Sequence, residues 1–289
     1  MLSPNFFNTI FVFPILNILV ALYKLLSLVK IPGSFGFSII GLTVLIRLLL
    51  HPFFKQQMET AKKMQELKPR IDKLSKKHSK DPKKLQQEQL KLYQQAGINP
   101  ASGCVFMIIQ IPVFFALYKT LSLFLLNSNL VKTITEINHT LYLSLLKIET
   151  INPWFFGFNL ALAPNKAAQW HYYLIPVVTG VLQYWQAQVS MPAAPKTDSV
   201  EERSPAERDG RGKAESVKDK KSDGGDFQQA MSMQMKYIMP LMIGWFSYTL
   251  PLGLSLYWNI FSIFSIIQYQ KISPKSKALN PKQLQNPKS

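Results

Sequence analysis

Long apolar runs alternate with strongly charged blocks along this chain. A helix needs about 20 predominantly apolar residues to cross the hydrocarbon core of a membrane. Five runs meet or approach that length and predict membrane-spanning helices. They lie at about 35–54, 103–125, 171–190, 235–250 and 253–270. The last two runs are separated by Pro251 and Gly253, which predict a tight turn at the membrane surface. The pattern therefore predicts an all-α polytopic membrane protein with five spans.

The apolar segment 6–29 has a different pattern, because Pro14 interrupts it and polar residues recur along one helical face. Those polar residues are Asn17, Lys24, Ser27 and Lys30. A polar stripe on an apolar helix is typical of an amphipathic helix that lies in the membrane interface. The stripe favours this interfacial helix over a sixth span, which stays an open alternative. A secretory signal peptide is disfavoured, because neither a basic n-region nor a small-residue cleavage site is evident.

The charged block 55–100 predicts a helical hairpin. Four apolar residues of its first arm are spaced by three, four and three, which gives a short seam; they are Met64, Leu67, Ile71 and Leu74. Asp81 predicts the N-terminal cap of the second arm, and Gly97 predicts its end. The block has 12 basic and 5 acidic residues, so contact with a partner is a hypothesis beside that of a solvated hairpin.

The distribution of positive charge predicts the orientation. Of the 33 Lys and Arg residues, 26 lie in 55–100, 192–236 and 271–289, which the five spans place on one side. Cytoplasmic loops carry an excess of Lys and Arg, so these segments are expected in the cytoplasm. The loop 127–170 is then extracytoplasmic. The net charge of +17 fits this orientation and contact with a ribosome or anionic lipids, but it does not indicate binding to a specific nucleic-acid sequence.

Two of the charged segments have almost no apolar content. The stretch 193–227 mixes both signs of charge with Gly and Ser, so it cannot bury enough surface to fold and is predicted to be disordered. The tail 272–289 is rich in Lys, Pro and Gln and is predicted to be mobile.

Catalytic chemistry is not indicated by any motif. The single cysteine, Cys104, excludes an intrachain disulfide and a cysteine-based metal cluster. The four histidines lack metal-ligand spacing, and neither a phosphate loop nor a nucleophile elbow is present. We therefore expect no enzyme, no cofactor and no metal.

Arg47 stands out because it lies inside the first predicted span. An arginine at the middle of a spanning helix costs about 2.5–3.5 kcal/mol even on a lenient scale, and it normally marks a functional site. The five predicted spans contain no Asp or Glu to pair with it. Its charge must therefore be met by water, polar dipoles, lipid phosphate or an acidic ligand. Escape of the side chain towards His51 and Pro52 is only partly possible. We expect a hydrated groove in which water and a passing substrate supply the partner.

Other polar residues lie on the same helical faces inside the spans, at intervals of three or four residues. Thr43, Arg47 and His51 share one face of the first span, and Ser255, Asn259 and Ser262 share one face of the last. Such residues often serve only as hydrogen-bonding contacts between helices. As lining residues of the groove we predict Arg47, Thr43, Gln110, Gln183, Thr179, Asn259 and Ser255.

Three long motifs follow one another along the chain. They are GFSIIGLTVLIRLLLHP at 36–52, AGINPASGCVFMIIQIPVFFALY at 96–118, and MPLM through LPLGLSLYWN at 239–259. In this order they resemble the core spans of the YidC/Oxa/Alb membrane protein insertases. The resemblance runs from about residue 14 to residue 270.

The resemblance implies a five-span core in a bacterial plasma membrane, with a groove open to the cytoplasm and lipid but closed to the outside. Arg47 would receive the polar or acidic N-terminal region of a nascent membrane protein. The hairpin 55–100 would recruit substrates, and residues 15–30 would form the family's external interfacial helix. A ribosome and a Sec-type translocon are possible further partners. A large extracytoplasmic domain is not expected, because only 31–33 separate the interfacial helix from the first span.

The chain is accordingly divided into ten segments. They are the N-terminal segment 1–33, first span 34–54, hairpin 55–100, second span 101–126, extracytoplasmic loop 127–170, third span 171–191, disordered loop 192–232, fourth span 233–251, fifth span 252–271 and basic tail 272–289. The main alternative function is a small anion transporter or channel that uses Arg47, although no convincing repeat is present. A structural scaffold for other membrane complexes is a second alternative.

Overall fold

The computed structural model describes residues 2–78, 81–97, 102–125, 130–190 and 234–272, and this part of the chain is mostly helical. The helices are α1 Phe13–Leu28, α2 Ser34–Leu49, α3 His51–Lys77, α4 Pro82–Gln95, α5 Ser102–Leu125, α6 Leu130–Thr140, α7 Leu174–Ser190, α8 Met239–Thr249 and α9 Leu252–Ile272. A short antiparallel hairpin is formed by β1 Trp154–Phe155 and β2 Phe158–Asn159. The predicted loop 192–232, the tail beyond Ile272 and the side chains of Cys104 and Gln110 lie outside the described residues.

The N-terminal helix continues past Pro14 instead of breaking there. A π-helical turn, Asn8–Val12, leads directly into α1, in which Pro14 is the second residue. Proline lacks a backbone N–H, and the wider π-turn before it accommodates the altered hydrogen-bond ladder.

The polar stripe of α1 contacts the protein itself. The Asn17 amide accepts a hydrogen bond from the Tyr142 N–H (2.7 Å) and donates one to the Thr140 carbonyl (3.3 Å). The Lys24 ammonium donates to the Lys147 carbonyl (2.9 Å). The end of α6 and the segment after it therefore bind two of the four stripe residues, whereas Ser27 and Lys30 are exposed. The interfacial location stays a prediction.

The first apolar run is divided at Leu50. α2 ends at Leu49, α3 begins at His51, and the two helix axes are bent by 68°. Pro52 occupies the first turn of α3, where a missing N–H is tolerated, but it cannot continue an existing helix without a clash. A hydropathy pattern does not register this clash, which explains why the sequence predicts one uninterrupted span.

Two helical segments of the described part are each long and apolar enough to cross a membrane, namely Asn8–Leu28 and Leu252–Lys271. The bent pair α2–α3 gives a third if it is counted as one span, and Ile111–Leu125 is a shorter apolar helix. The five-span arrangement therefore stays a prediction.

α9 lies at the centre of the helix packing. It packs against α2 and α7, while α7 also packs against α8, and α1 packs against α2. At the α7–α8 contact a Cβ added to Gly244 would lie only 3.6 Å from the Gly180 Cα, so small residues let these two backbones approach closely.

α3 and α4 pack against each other through an apolar cluster. Its buried members are Leu67 and Ile71 from α3 and Tyr93 from α4. The predicted cap of α4 is confirmed, because the Asp81 carboxylate accepts a hydrogen bond from the Lys84 N–H (3.0 Å). Gly97, just after α4, has a positive φ of 64°, which confirms it as the stop signal.

The Phe155 ring of the β-hairpin packs closely against the start of α2. A Cβ added to Gly36 would lie 2.2 Å from the Phe155 ring, and one added to Gly33 would lie 2.8 Å from it. Gly33 also has a positive φ of 77°. The missing side chains of these two glycines thus create the space that Phe155 fills.

Gly36→Ala should destabilise the protein by about 1–3 kcal/mol, because the added methyl group overpacks the Phe155 ring. The loss should be measured as a shift in thermal unfolding in detergent. Gly41→Ala is the matched control, since its Cβ would meet only the Leu22 side chain at 3.4 Å. In a Phe155→Ala background the Gly36→Ala change should cost nothing further. An unchanged cost in that background would contradict the contact.

Candidate functional site

Arg47 is enclosed by the protein. It lies near the C-terminal end of α2, and its side chain is only 2% exposed. The guanidinium carbon lies 4.0 Å from the ring centroid of Phe54 on α3 and 3.7 Å from that of Phe261 on α9. Aromatic faces attract a cation, and the attraction strengthens when both groups are shielded from water. The two rings thus cover the charge from two helices.

The hydrogen-bond partners of Arg47 all come from α9. Its Nη2 donates to the Phe261 carbonyl (2.9 Å) and to the Ser265 hydroxyl, and its Nη1 donates to the Gln268 Oε1 (3.3 Å). The Nε atom is buried and has no hydrogen-bond partner among the described residues. The guanidinium is therefore held mainly through its terminal nitrogens.

None of these partners is charged. In the described part of the chain no carboxylate pairs with Arg47, and the ion pairs Lys55–Glu59 and Lys91–Glu88 lie on α3 and α4. Polar groups of α9 therefore compensate the charge of Arg47. Polar dipoles were one of the four kinds of partner expected from the sequence. The narrower expectation, that water and a passing substrate supply the partner, stays a prediction. It overlooked the polar groups that α9 brings to the guanidinium.

Ser265 and Gln268 were not predicted as site residues. The polar face chosen for the last span was that of Ser255, Asn259 and Ser262. Ser265 and Gln268 continue beyond Ser262 in steps of three, and a glutamine is unusual inside an apolar helix. That spacing was the available signal, but a single sequence does not show that this part of α9 faces Arg47.

Gln268 also reaches His51. The Gln268 Nε2 lies 3.2 Å from the His51 Nδ1. His51, an exposed residue in the first turn of α3, was grouped with Arg47 by its spacing. The structure thus connects these two residues through Gln268.

A second polar cluster lies where α7, α8 and α9 meet. The Ser247 hydroxyl donates to the Thr179 hydroxyl (3.2 Å) and shares a hydrogen bond with the Ser255 hydroxyl (2.7 Å). Thr179 in turn donates to the Ile175 carbonyl of its own helix (2.8 Å). All three hydroxyl-bearing side chains are buried. The structure therefore brings together two predicted residues, Thr179 and Ser255, and adds Ser247, which was not predicted.

The remaining predicted residues do not join either cluster through hydrogen bonds in the described part of the protein. Thr43 is buried and donates to the Ile39 carbonyl within α2 (2.7 Å). Asn259 is half-buried, and its Oδ1 has no hydrogen-bond partner among the residues described. Gln183 is also half-buried. The structure thus places Arg47 in one cluster and Thr179 and Ser255 in the other, whereas Thr43, Gln183 and Asn259 lie outside both.

Residues 25–279 match the profile of a family described as 60Kd inner membrane protein, the YidC/Oxa/Alb family. The chain belongs to this family. The match covers the described helices from the end of α1 to α9. The resemblance seen in the sequence motifs is thereby confirmed.

Relatives in the YidC/Oxa/Alb family include two bacterial proteins that match over most of their length. The chain is 30% identical over 276 residues to the membrane protein insertase YidC of Alkalihalophilus pseudofirmus, covering 92% of this chain and 81% of that protein. It is 29% identical over 284 residues to the membrane protein insertase MisCA of Bacillus subtilis, covering 96% and 84%.

A chloroplast relative is longer. The chain is 30% identical over 258 residues to the inner membrane ALBINO3-like protein 1 of Chlamydomonas reinhardtii, which covers 86% of this chain but 46% of that protein. The chain thus spans about half the length of this relative, so family membership is shown for the shared region.

Ser247→Ala should destabilise the protein by about 1 kcal/mol, because it removes the hydroxyl that connects Thr179 with Ser255. Ser262→Ala is the matched control, because the Ser262 hydroxyl is equally buried but has no partner among the described residues. We expect that control to be neutral or stabilising. Denaturation in mixed micelles measures both changes. Equal losses in the two variants would show that the hydroxyl cluster contributes nothing specific.

Proposed function

We propose that this protein is a membrane protein insertase. It receives hydrophilic segments of nascent membrane proteins next to Arg47 and releases their transmembrane segments sideways into the bilayer. Its family membership supports this proposal, as do the names of the bacterial relatives that match over most of their length.

The observation that carries the mechanism is the uncompensated charge of Arg47. A guanidinium that is 2% exposed has only neutral partners in the described structure. Charge-assisted hydrogen bonds between a guanidinium and a carboxylate are stronger than those to neutral acceptors. An acidic residue of an arriving segment therefore gains an interaction that the protein itself does not provide. This gain offsets part of the cost of removing both charges from water.

In our proposal the substrate reaches Arg47 at the bend between α2 and α3. Arg47 is three residues from the bend at Leu50, and His51 on the other side of that bend is exposed. An acidic segment that approaches along His51 exchanges places with the neutral acceptors of α9.

The groove then continues along α9, in our proposal, past the other predicted lining residues. These are Thr43, Gln110, Thr179, Gln183, Ser255 and Asn259. The Oδ1 of Asn259 has no partner among the described residues. It supports a polar path here, because a buried polar atom without a partner gains from a hydrogen bond to a passing segment.

Release uses no nucleotide in this proposal. Once the hydrophilic segment has passed, the apolar segment of the substrate leaves for lipid, because burial of apolar surface is favourable. We place α3 and α4, the loop 192–232 and the tail 272–289 in the cytoplasm of a bacterial cell. A ribosome and a Sec-type translocon are proposed as further partners on that side.

Arg47→Ala should reduce insertion of a substrate with an acidic N-terminal segment about ten-fold, the factor given by roughly 1.4 kcal/mol. Insertion of the same substrate with its acidic residues neutralised should change little. Arg47→Lys should retain part of the activity, since lysine keeps the charge but not the bidentate geometry. The assay is insertion into vesicles that contain the variant, with Arg70→Ala on α3 as control. Unchanged insertion of the acidic substrate by Arg47→Ala would overturn the mechanism.

A photocrosslinking residue at position 183 should form adducts with a nascent membrane protein on translating ribosomes. The same residue at Val131, an exposed position on α6, should form few, because we place α6 on the opposite side of the membrane. Adducts are detected by mass shift on gels. If the adducts were equally frequent at both positions, Gln183 would not lie on the substrate path. Their absence from both would favour the transporter or scaffold alternatives.

A further inference from the structure

Gln268 is placed between two groups of different chemistry. Its side chain is nearly buried on α9, with Oε1 at 3.3 Å from Arg47 Nη1 and Nε2 at 3.2 Å from His51 Nδ1. The amide therefore bridges the buried arginine on α2 and the exposed histidine on α3.

The orientation of the Gln268 amide follows from donor and acceptor chemistry. A guanidinium has only donors, so the amide oxygen must face Arg47. The amide nitrogen then faces His51, and because this nitrogen only donates, the His51 Nδ1 must accept. The His51 tautomer that fits this arrangement carries its proton on Nε2. The two ends of the amide thus match two different groups, with Oε1 accepting from Arg47 and Nε2 donating to His51.

The other α9 partners of Arg47 do not replace Gln268. The Phe261 carbonyl and the Ser265 hydroxyl both accept from Nη2, and Ser265 itself donates to the Phe261 carbonyl (2.9 Å). Among the described residues, Gln268 is the only hydrogen-bond acceptor for Nη1. Its oxygen is therefore the contact that holds the Nη1 side of the guanidinium against α9.

We propose that Gln268 is the positioning residue for Arg47, and that His51 holds the Gln268 amide in the orientation that does so. A neutral amide oxygen binds a guanidinium less strongly than a carboxylate does. Gln268 therefore keeps Arg47 against α9 in the absence of substrate and yields its place to an acidic residue. The claim that Arg47 is held ready for an acidic substrate rests on the proposed function. The claim that Gln268 holds Arg47 against α9 does not.

Accessibility of Arg47 to phenylglyoxal, which modifies guanidinium groups, tests this proposal without any substrate. The full-length protein in liposomes is treated with the reagent, and modification of Arg47 is measured by mass spectrometry relative to Arg70. Gln268→Leu should raise the rate at Arg47 about five-fold, a factor typical of one net hydrogen bond. Gln268→Glu should keep the rate at or below that of the unaltered protein, because its carboxylate retains the acceptor and adds charge.

Two further variants separate positioning from general loosening. Gln270→Leu makes the same substitution at an exposed residue of α9 and should leave the rate at Arg47 unchanged. His51→Phe removes the Nδ1 acceptor but keeps an aromatic ring, so the rate at Arg47 should rise. The proposal would be overturned if Gln268→Leu left the rate at Arg47 unchanged. It would equally be overturned if Gln270→Leu or Gln268→Glu raised that rate as much as Gln268→Leu does. An unchanged rate in His51→Phe would overturn the role of His51.

Failure of this proposal is distinguishable from failure of the proposed function. The modification rate reports only where the Arg47 side chain lies, whereas the insertion assay with Arg47→Ala reports whether that side chain serves substrates. The expected modification pattern together with normal insertion by Arg47→Ala would leave Gln268 as the positioning residue and remove the insertase mechanism. Loss of insertion in Arg47→Ala without the modification pattern would overturn only the role of Gln268.

Discussion

A full positive charge among apolar helices that carry no Asp or Glu constrains how this protein packs. Burying an unpaired charge is costly unless dipoles and hydrogen bonds replace the water it loses. Arg47 obtains them from α9 and is covered by rings from α3 and α9. These contacts require α2, the first turn of α3 and the second half of α9 to meet at one place. The central position of α9 and the break after α2 both serve this requirement.

Much of the local structure could be predicted from the sequence, because its causes are local. Apolar runs predict helices, and Asp81 predicts a capped helix start. The cost of a charge inside a span marks Arg47 as a candidate site residue. The contacts of the polar stripe on α1 could not be predicted, since its partners lie more than a hundred residues away. Gln268 was missed for the same reason. Spacing shows which residues share a face of one helix, but not which helix that face meets.

The polar residues of α9 serve two different helix contacts. Near its start Ser255 joins the hydroxyls of α7 and α8, and further along Ser265 and Gln268 hold the arginine of α2. Between them Asn259 and Ser262 retain buried oxygen atoms without partners in the described residues. α9 therefore joins two parts of the protein through polar contacts that are individually weak. Weak contacts of this kind can be exchanged for others at low cost, which suits the proposed passage of polar segments along α9.

The bend at Leu50 has a mechanical consequence. Phe54, whose ring covers Arg47, lies only four residues beyond the bend, whereas α3 continues to Lys77. At a rise of about 1.5 Å per residue, a rotation about Leu50 that displaces the far end of α3 by about 10 Å moves Phe54 by only about 1.5 Å. Rotation of α3 about Leu50 therefore moves its distal end much further than it moves the Phe54 ring relative to Arg47.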